Sequence, residues 1–464
     1  MKQINMTYLL LISLVSAMGG LLFGYDWVVI GGAKPFYEPF FGISDLPGLQ
    51  GWAMSSALIG CLFGALLAGF FSDRYGRKKM LIISAAIFLV SAIGTGATSN
   101  FAMFIAYRIL GGFAIGFASN LSPMYIAEVS PANMRGRLVS VYQLTMVIGI
   151  LAAQFINWRV AEPVAADATV EMIKESWNGQ MGWRIMFWIE CAPAILFFVL
   201  AFLIPESPRW LATKGKLDAA RKILGRIGSA EYADGEMAQI KESIEKDEAA
   251  HQGAGWKYLL MPSMRKVLLI GIVLSVFQQW CGINVIFNYA QEIFAAAGYT
   301  ISQTLLNIVV TGVTNVVFTV VAMFVIDRLG RRALLLLGAG GLSLIYLLLG
   351  AAYHFQLTGI AMLVIVVLAI ACYAMTLAPV VWVVVSEIFP NMVRGAAMAV
   401  STFALWFACF VLTYTFPLLN ASLGASGTFW CYGGICLLGL LFIIKNVPET
   451  NNKSLEEIEK ELVK

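Results

Sequence analysis

Three charged residues stand where charge is costly. Asp26, Arg108 and Glu190 each fall inside a run of apolar residues long enough to cross a bilayer. A charge at the centre of such a helix costs about 2.5–3.5 kcal/mol on insertion scales, so these positions are functional candidates by default. All three lie in the first part of the chain, two acids to one base. With both acids ionised, the set carries an uncompensated negative charge. Burial favours the neutral form of an acid and pairing with a cation favours the charged form. A movement that alters pairing or water access therefore changes proton affinity, the physical requirement for coupling a proton to another event. The alternative is a static buried ion pair that fixes helix register. His251 and His354, in a cytoplasmic segment and near an outer helix end, are not expected to carry protons.

The elements that must position these residues follow from composition. The chain is 59% hydrophobic and 12% charged, with mean hydropathy +0.80. A water-soluble globule of that make-up would expose too much apolar surface. This excludes a soluble enzyme, a nucleic-acid binder and a disordered scaffold, and the net charge of +4 is no nucleic-acid signal. Residues 46–72, 80–107, 267–291, 293–326, 333–386 and 395–444 contain no Asp, Glu, Lys or Arg. About 20 apolar residues span the hydrocarbon core, so the two longest stretches hold two crossings each. Such continuous runs suit helices and not the alternating strands of a barrel. Twelve spans are expected, at about 8–30, 50–72, 80–98, 102–125, 138–158, 184–204, 267–290, 304–326, 333–353, 359–385, 396–417 and 428–446. The first continues into Gly24-Tyr25-Asp26, which argues against a cleaved signal peptide. With both termini inside, only Lys34, Arg159, Lys174 and Arg184 lie outside and Arg108 lies within a span, as the positive-inside rule requires. The seven cysteines all fall in apolar spans without a CxxC pair and read as packing residues.

The punctuation on the cytoplasmic side occurs twice. Asp73-Arg-Tyr-Gly-Arg77 follows span 2, and Asp327-Arg-Leu-Gly-Arg331 follows span 8. Glu128 to Arg135 follows span 4, and Glu387 to Arg394 follows span 10. Pro205-Glu206 follows span 6, and Pro448-Glu449 follows span 12. Matched marks at nearly constant offset on one side mean a parallel duplication, the architecture of a transporter with a site between two halves. The acids and arginines Asp73, Arg77, Glu128, Arg135, Glu206, Asp327, Arg331, Glu387, Arg394 and Glu449 are expected to form a cytoplasmic gate, pairing across the interface between halves when that side is shut. The other reading is that they only cap helices and orient the chain. A charged segment from Pro205 to about Arg265 divides the halves, and Ser454-Leu-Glu-Glu457 has the form of a capping box before a short tail helix.

With these marks in place, the sequence resembles the sugar porter family of the major facilitator superfamily over essentially its whole length. The resemblance is carried by Asp73 to Lys78, Arg108-Ile-Leu-Gly-Gly112, Glu128 to Gly136, Pro205-Glu-Ser-Pro-Arg-Trp-Leu211, Gln278-Gln-Trp-Cys-Gly-Ile-Asn284, Asp327 to Arg331, Glu387 to Gly395 and Val447-Pro-Glu-Thr450. It is nearest to bacterial proton-coupled xylose symporters, themselves related to facilitative glucose transporters. The implied fold is an all-α polytopic membrane protein, twelve transmembrane helices in two pseudo-symmetric six-helix bundles. The implied activity is import of a monosaccharide with a proton by alternating access, xylose first and a hexose, arabinose or inositol behind it. The resemblance assigns the sugar to Gln143, Gln278, Gln279, Asn284, Asn315, Trp382 and Trp406, with Phe23 as an aromatic lining residue. That set suits a ligand whose hydroxyls donate and accept and whose ring face is faintly apolar. Gln278, Gln279 and Asn284 do not share one stripe of an ideal helix, so a break near Gly282 is expected to bring them together. The resemblance also makes Asp26 the proton site, Arg108 its switching partner and Glu190 a secondary modulator. Facilitative relatives carry a neutral amide at the position of Asp26. Two positions depart from the xylose symporters: Leu405 replaces an amide before Trp406, and Asn288 replaces a tyrosine before Tyr289.

The expected organisation is an N-terminal bundle at 1–204, a cytoplasmic helical linker at 205–265, a C-terminal bundle at 266–447 and a cytoplasmic tail at 448–464. The expected location is the plasma or inner membrane, with both termini cytoplasmic. The expected partners are sugar, proton and lipid bilayer, with no nucleic acid, and the chain is expected to act as a monomer. Neither a cofactor nor a metal nor an enzyme activity is expected. The rivals are a uniporter in which Asp26 is structural, a sugar sensor, and an antiporter of drugs or organic ions. The small-xxx-small runs Gly20/Gly24, Gly60/Gly64 and Gly112/Gly116 point to close packing of helices inside one chain.

Overall fold

In the computed structural model, residues 4–131, 133–250, 261–389 and 394–450 are described. His251, the Ser454–Glu457 capping box and the remainder of the tail beyond Thr450 lie outside them, as do the side chains of Asp327 and Arg394. Apart from one bridge between Ile4 and Gly228, the described residues form helices and connections only.

Span 1 is Met6–Phe41, span 2 Pro47–Tyr75, span 3 Arg77–Ala97, span 4 Phe101–Val129 and span 5 Arg135–Val160. Span 6 covers Asn178–Ala201. Span 7 is Pro262–Trp280 continued by Ile283–Asn288. Span 8 is Ile301–Leu329, span 9 Arg331–His354, and span 10 Ile360–Met375 continued by Leu377–Ile388. The final helix, Arg394–Asn446, has 53 residues, with Gly424 at φ 67° and ψ 175° inside it. At 1.5 Å per residue it would measure about 80 Å if straight, against a hydrocarbon core of roughly 30 Å. Gly424 is therefore the corner between spans 11 and 12. The twelve expected spans are present in two pseudo-symmetric bundles of six.

Span 1 reaches eleven residues beyond its expected end. Pro35 and Pro39 sit in this extension, where each removes a backbone donor. Close approach within the first bundle is made at the small-residue runs. Side chains at Gly60 and Gly112 would collide with the carbonyls of Ile109 and Ala57, which interlocks spans 2 and 4. A side chain at Gly24 would collide with the Met146 carbonyl, so glycine there lets span 1 lie close against span 5. Helices Pro208–Thr213, Leu217–Ile227 and Ala230–Ala250 belong to the described part of the charged segment. They dock on the start of span 1: Asn5 N donates to Ile227 O at 2.8 Å, and the Arg226 guanidinium lies 4.8 Å from the Tyr8 ring. Arg221 holds Asp234 through two bonds of 2.6 and 3.1 Å and keeps its carboxyl below the usual carboxylate range. Burial pushes the Tyr232 hydroxyl up.

The duplication extends to individual bonds. Glu206 accepts from the amides of Arg77 and Lys78 at 2.9 and 3.0 Å, and Glu449 accepts from those of Arg331 and Arg332 at 2.9 and 3.0 Å. Each acid caps orphan amides at the start of the third helix of its own bundle, where a helix dipole favours a negative charge. Gly76 and Gly330 make this possible. Both have positive φ, 95° and 84°, and a side chain on either would press into the capping carboxylate.

Candidate substrate and proton site

Several residues of the expected cytoplasmic gate are paired in the structure. Arg77 donates to Glu128 through Nε and Nη2 at 2.9–3.2 Å and to Asp73 through Nη1 at 2.9 Å, tying spans 2, 3 and 4 together. Arg331 pairs with Glu387 at 3.6 Å and ties span 9 to span 10. Arg135 donates to the Ala127 carbonyl at 3.0 Å. These described pairs close within each half; the pairing across the halves that the sequence suggested belongs to the state in which the cytoplasmic side is shut. Glu206 and Glu449 anchor the starts of the helices that carry Arg77 and Arg331, each within its own bundle.

Contacts across the halves gather at the opposite ends of the spans. Val164 N donates to Ser302 Oγ at 3.1 Å. Gly31 lies against the Asn288 carbonyl, Gly51 against that of Tyr414 and Gly312 against the Gln154 amide. Lys34 of span 1 pairs with Glu292, which lies beyond span 7.

Between these ends sits the charged trio. Asp26 and Arg108 are both 2% exposed and form a direct ion pair between spans 1 and 4. The second carboxylate oxygen of Asp26 and Nε of Arg108 have no hydrogen-bond partner among the described residues. The Arg108 guanidinium also lies 5.6 Å from the Phe187 ring. Glu190 is 1% exposed, within electrostatic reach of both partners, and its Oε1 is likewise without a partner. It occupies a two-residue interruption in span 6, between helices Trp183–Trp188 and Cys191–Ala201. Pro193 explains the break, because it cannot donate back to the preceding turn. The structure thus brings together all three charges that the sequence singled out.

The amides other than Gln143, which is on span 5, lie in the other half. Gly282, at φ 86°, breaks span 7 where expected, since only glycine takes this conformation without strain. The turn places the Asn284 amide on the Gln279 carbonyl oxygen, and Gln279 Nε2 reaches Gln278 Oε1 at 3.4 Å. Gln278 Nε2 in turn donates to the carbonyls of Leu377 and Ala378 at 3.2 and 3.1 Å, beside the break in span 10 at Thr376. Gln278 therefore has a supporting task as well as any ligand contact. Asn315 is buried, Gln143 and Asn284 are half-buried, and Trp382 is exposed. Phe23 and Trp406 meet across the halves with ring centres 6.1 Å apart. Trp27, which sequence reasoning missed, completes the group at 5.8 Å from Phe23 and 6.0 Å from Trp406. Its signal was available: it stands four residues after Phe23, on the same helix face. Leu405 is buried, and Asn288 is buried with its Oδ1 unpartnered among the described residues.

Two halves with matched closing bonds, a buried acid–base pair in one and an amide chain in the other, form the geometry of an alternating-access carrier. The family model for sugar (and other) transporters matches residues 12–462. The chain belongs to the sugar transporter family. This transporter is 39% identical over 487 aligned residues to the D-xylose-proton symporter of Escherichia coli, covering 98% of this chain and 96% of the relative. It is 38% identical over 461 residues to the arabinose-proton symporter of Bacillus subtilis, covering 99% and 96%. Its fold superposes on the inward-open structure of the xylose transporter XylE from Escherichia coli with a TM-score of 0.84 and 37% identity, over 97% of this chain and 99% of the other. The transporter is thus a multi-pass membrane protein of the major facilitator superfamily.

Proposed function

We propose that this transporter imports a monosaccharide together with a proton, with xylose the first substrate to test and glucose, galactose, arabinose and inositol behind it. The observation that carries the reading is the buried Asp26–Arg108 pair, whose carboxylate keeps one free oxygen in the half opposite the amide chain of span 7. The proton binds Asp26. Arg108 exchanges partners between Asp26 and Glu190 as the halves move. The sugar hydroxyls are met by Gln143, Gln278, Gln279, Asn284 and Asn315, and its ring lies against Phe23, Trp382 and Trp406. A proton falling through about 150 mV supplies about 3.5 kcal/mol, enough to sustain a sugar gradient of roughly a few hundredfold.

The moving bodies are the bundles at 1–204 and 266–447, joined by the linker at 205–265 and followed by the tail at 448–464. The Arg77 and Arg331 clusters keep the inner end of each bundle rigid, and the faces they build close the cytoplasmic side. Both termini lie in the cytoplasm, and the chain works as a monomer in the plasma or inner membrane. It binds no nucleic acid, needs no cofactor or metal and has no enzyme activity.

The test is uptake of labelled xylose and glucose into proteoliposomes, with and without an inward proton gradient, for wild type and Asp26→Asn. The expected result is that wild type concentrates a sugar and Asp26→Asn only equilibrates it. A gradient without effect on either protein would make Asp26 structural and the chain a uniporter. If neither sugar moves, Leu405 and Asn288 mark where a different substrate is selected.

A further inference from the structure

A second ionic cluster, about two turns further along span 1 than Asp26, joins the two halves at the far end. Lys34 is 3% exposed and Glu38, one turn later on span 1, is 7% exposed. Their charged atoms are 3.0 Å apart. The same ammonium contacts Glu292, whose side chain is 26% exposed and belongs to the helix Ala290–Ala296 of the other half. Gln50 of span 2 donates to Glu38 at 3.3 Å and to Ser44 O at 2.6 Å. The Tyr289 ring lies 5.5 Å from the ammonium, and Tyr37 faces the same acids from span 1. A buried lysine is destabilising unless its partners compensate it. Here one of the two partners comes from across the interface.

We propose that Lys34 and Glu292 form an ionic latch that holds the outer side of the transporter shut and so sets the balance between its outward- and inward-open states. The inference rests on the alternating-access reading above. Lys34 and Glu38 share a helix and stay paired whichever side is open. Of the two ion pairs of Lys34, the one with Glu292 is made in the closed state and lost in the open one, and only an interaction that differs between states shifts their ratio. The three residues then have unequal effects. Lys34→Met leaves two carboxylates buried together in the closed state and favours outer opening most. Glu292→Gln removes the cross-half pair but leaves Lys34 with Glu38, and has a smaller effect in the same direction. Glu38→Gln leaves Lys34 matched one-to-one with Glu292 and does not favour opening. Lys34→Glu combined with Glu292→Lys places a single cation between two acids again and restores closure.

Hydrogen–deuterium exchange of the four variants in lipid nanodiscs tests this without a sugar. Amides of 28–41 and 283–296 report the outer side, and those of 64–79 and 320–334 report the inner side. Lys34→Met should speed outer exchange by about 5- to 150-fold, the range of typical coupling between two states, while inner exchange slows. Glu292→Gln should fall between it and wild type, and Glu38→Gln and the exchanged pair should match wild type. If Lys34→Met and Glu292→Gln leave outer exchange within about twofold of wild type, the latch is overturned. If both ends speed up together, these residues serve only fold stability and the latch is again overturned. Wild-type uptake in proteoliposomes is measured alongside. The predicted exchange pattern with no sugar uptake would retain the latch and reject the sugar reading.

Discussion

The charged trio makes a prediction whose sign depends on the order in which charges are removed. Asp26 and Arg108 are paired out of contact with solvent, and Glu190 adds a second acid. With both acids ionised the formal charge of the trio is negative. Asp26→Asn leaves Arg108 balanced by Glu190 and loses a charged hydrogen bond worth about 1.5–3 kcal/mol. Arg108→Met leaves two buried acids without a cation, and breaking a buried pair in this way costs about 3–5 kcal/mol. Removing both partners with groups of similar shape approaches neutrality. Asp26→Asn should therefore destabilise the wild type but stabilise the Arg108→Met variant. The assay is equilibrium unfolding of the four proteins by SDS in mixed micelles, followed by tryptophan fluorescence and analysed as a double-mutant cycle. The reasoning fails if Arg108→Met costs less than about 1 kcal/mol, or if Asp26→Asn is destabilising in both backgrounds. Either result would mean that the trio is solvated.

Three further outcomes follow from the geometry. Glu206→Ala and Glu449→Ala should each cost about 1–3 kcal/mol by leaving helix-start amides without an acceptor, and the two losses should match in the same unfolding assay, as the paired bonds require. Gly282→Ala should weaken sugar binding by about tenfold, read by isothermal titration. The cause is a strained φ of 86° and a contact of 2.9 Å with Tyr432, which disturb the turn that joins Gln279 to Asn284. Trp27→Ala should weaken binding by a similar factor, because it removes the ring that supports both Phe23 and Trp406. Its proton-driven accumulation ratio, measured at saturating sugar, should stay at the wild-type value.

Much of this was legible in the residues. Charge-free stretches of bilayer length admit only a few readings, and the repeated DRxGR marks fix the duplication. Gly282 gave away the break in span 7 because three amides at mismatched spacing needed one. What escaped reading depends on contacts between distant elements. Lys34 and Glu292 both lie near span ends, where a charge is ordinarily solvated, and nothing local says that they meet. The arginine clusters offered several partners of equal chemistry, and the sequence does not distinguish among them. Gln278 showed the type of a ligand residue but not the two carbonyls of span 10 that claim its donors.

The capping acids also order events at the ribosome. Glu206 is made directly after span 6, and until then the first amides of span 3 have no acceptor from it. Its carboxylate fastens the end of the sixth helix to the start of the third, a closing bond made entirely within the first bundle. At about 5–20 residues per second, Glu449 follows roughly 10–50 s later. During that interval the finished bundle needs no contribution from the rest of the chain to hold its closing bond. Each half is thus a self-fastening unit in time as well as in space, and a chain severed within the linker should still assemble from its two translated pieces.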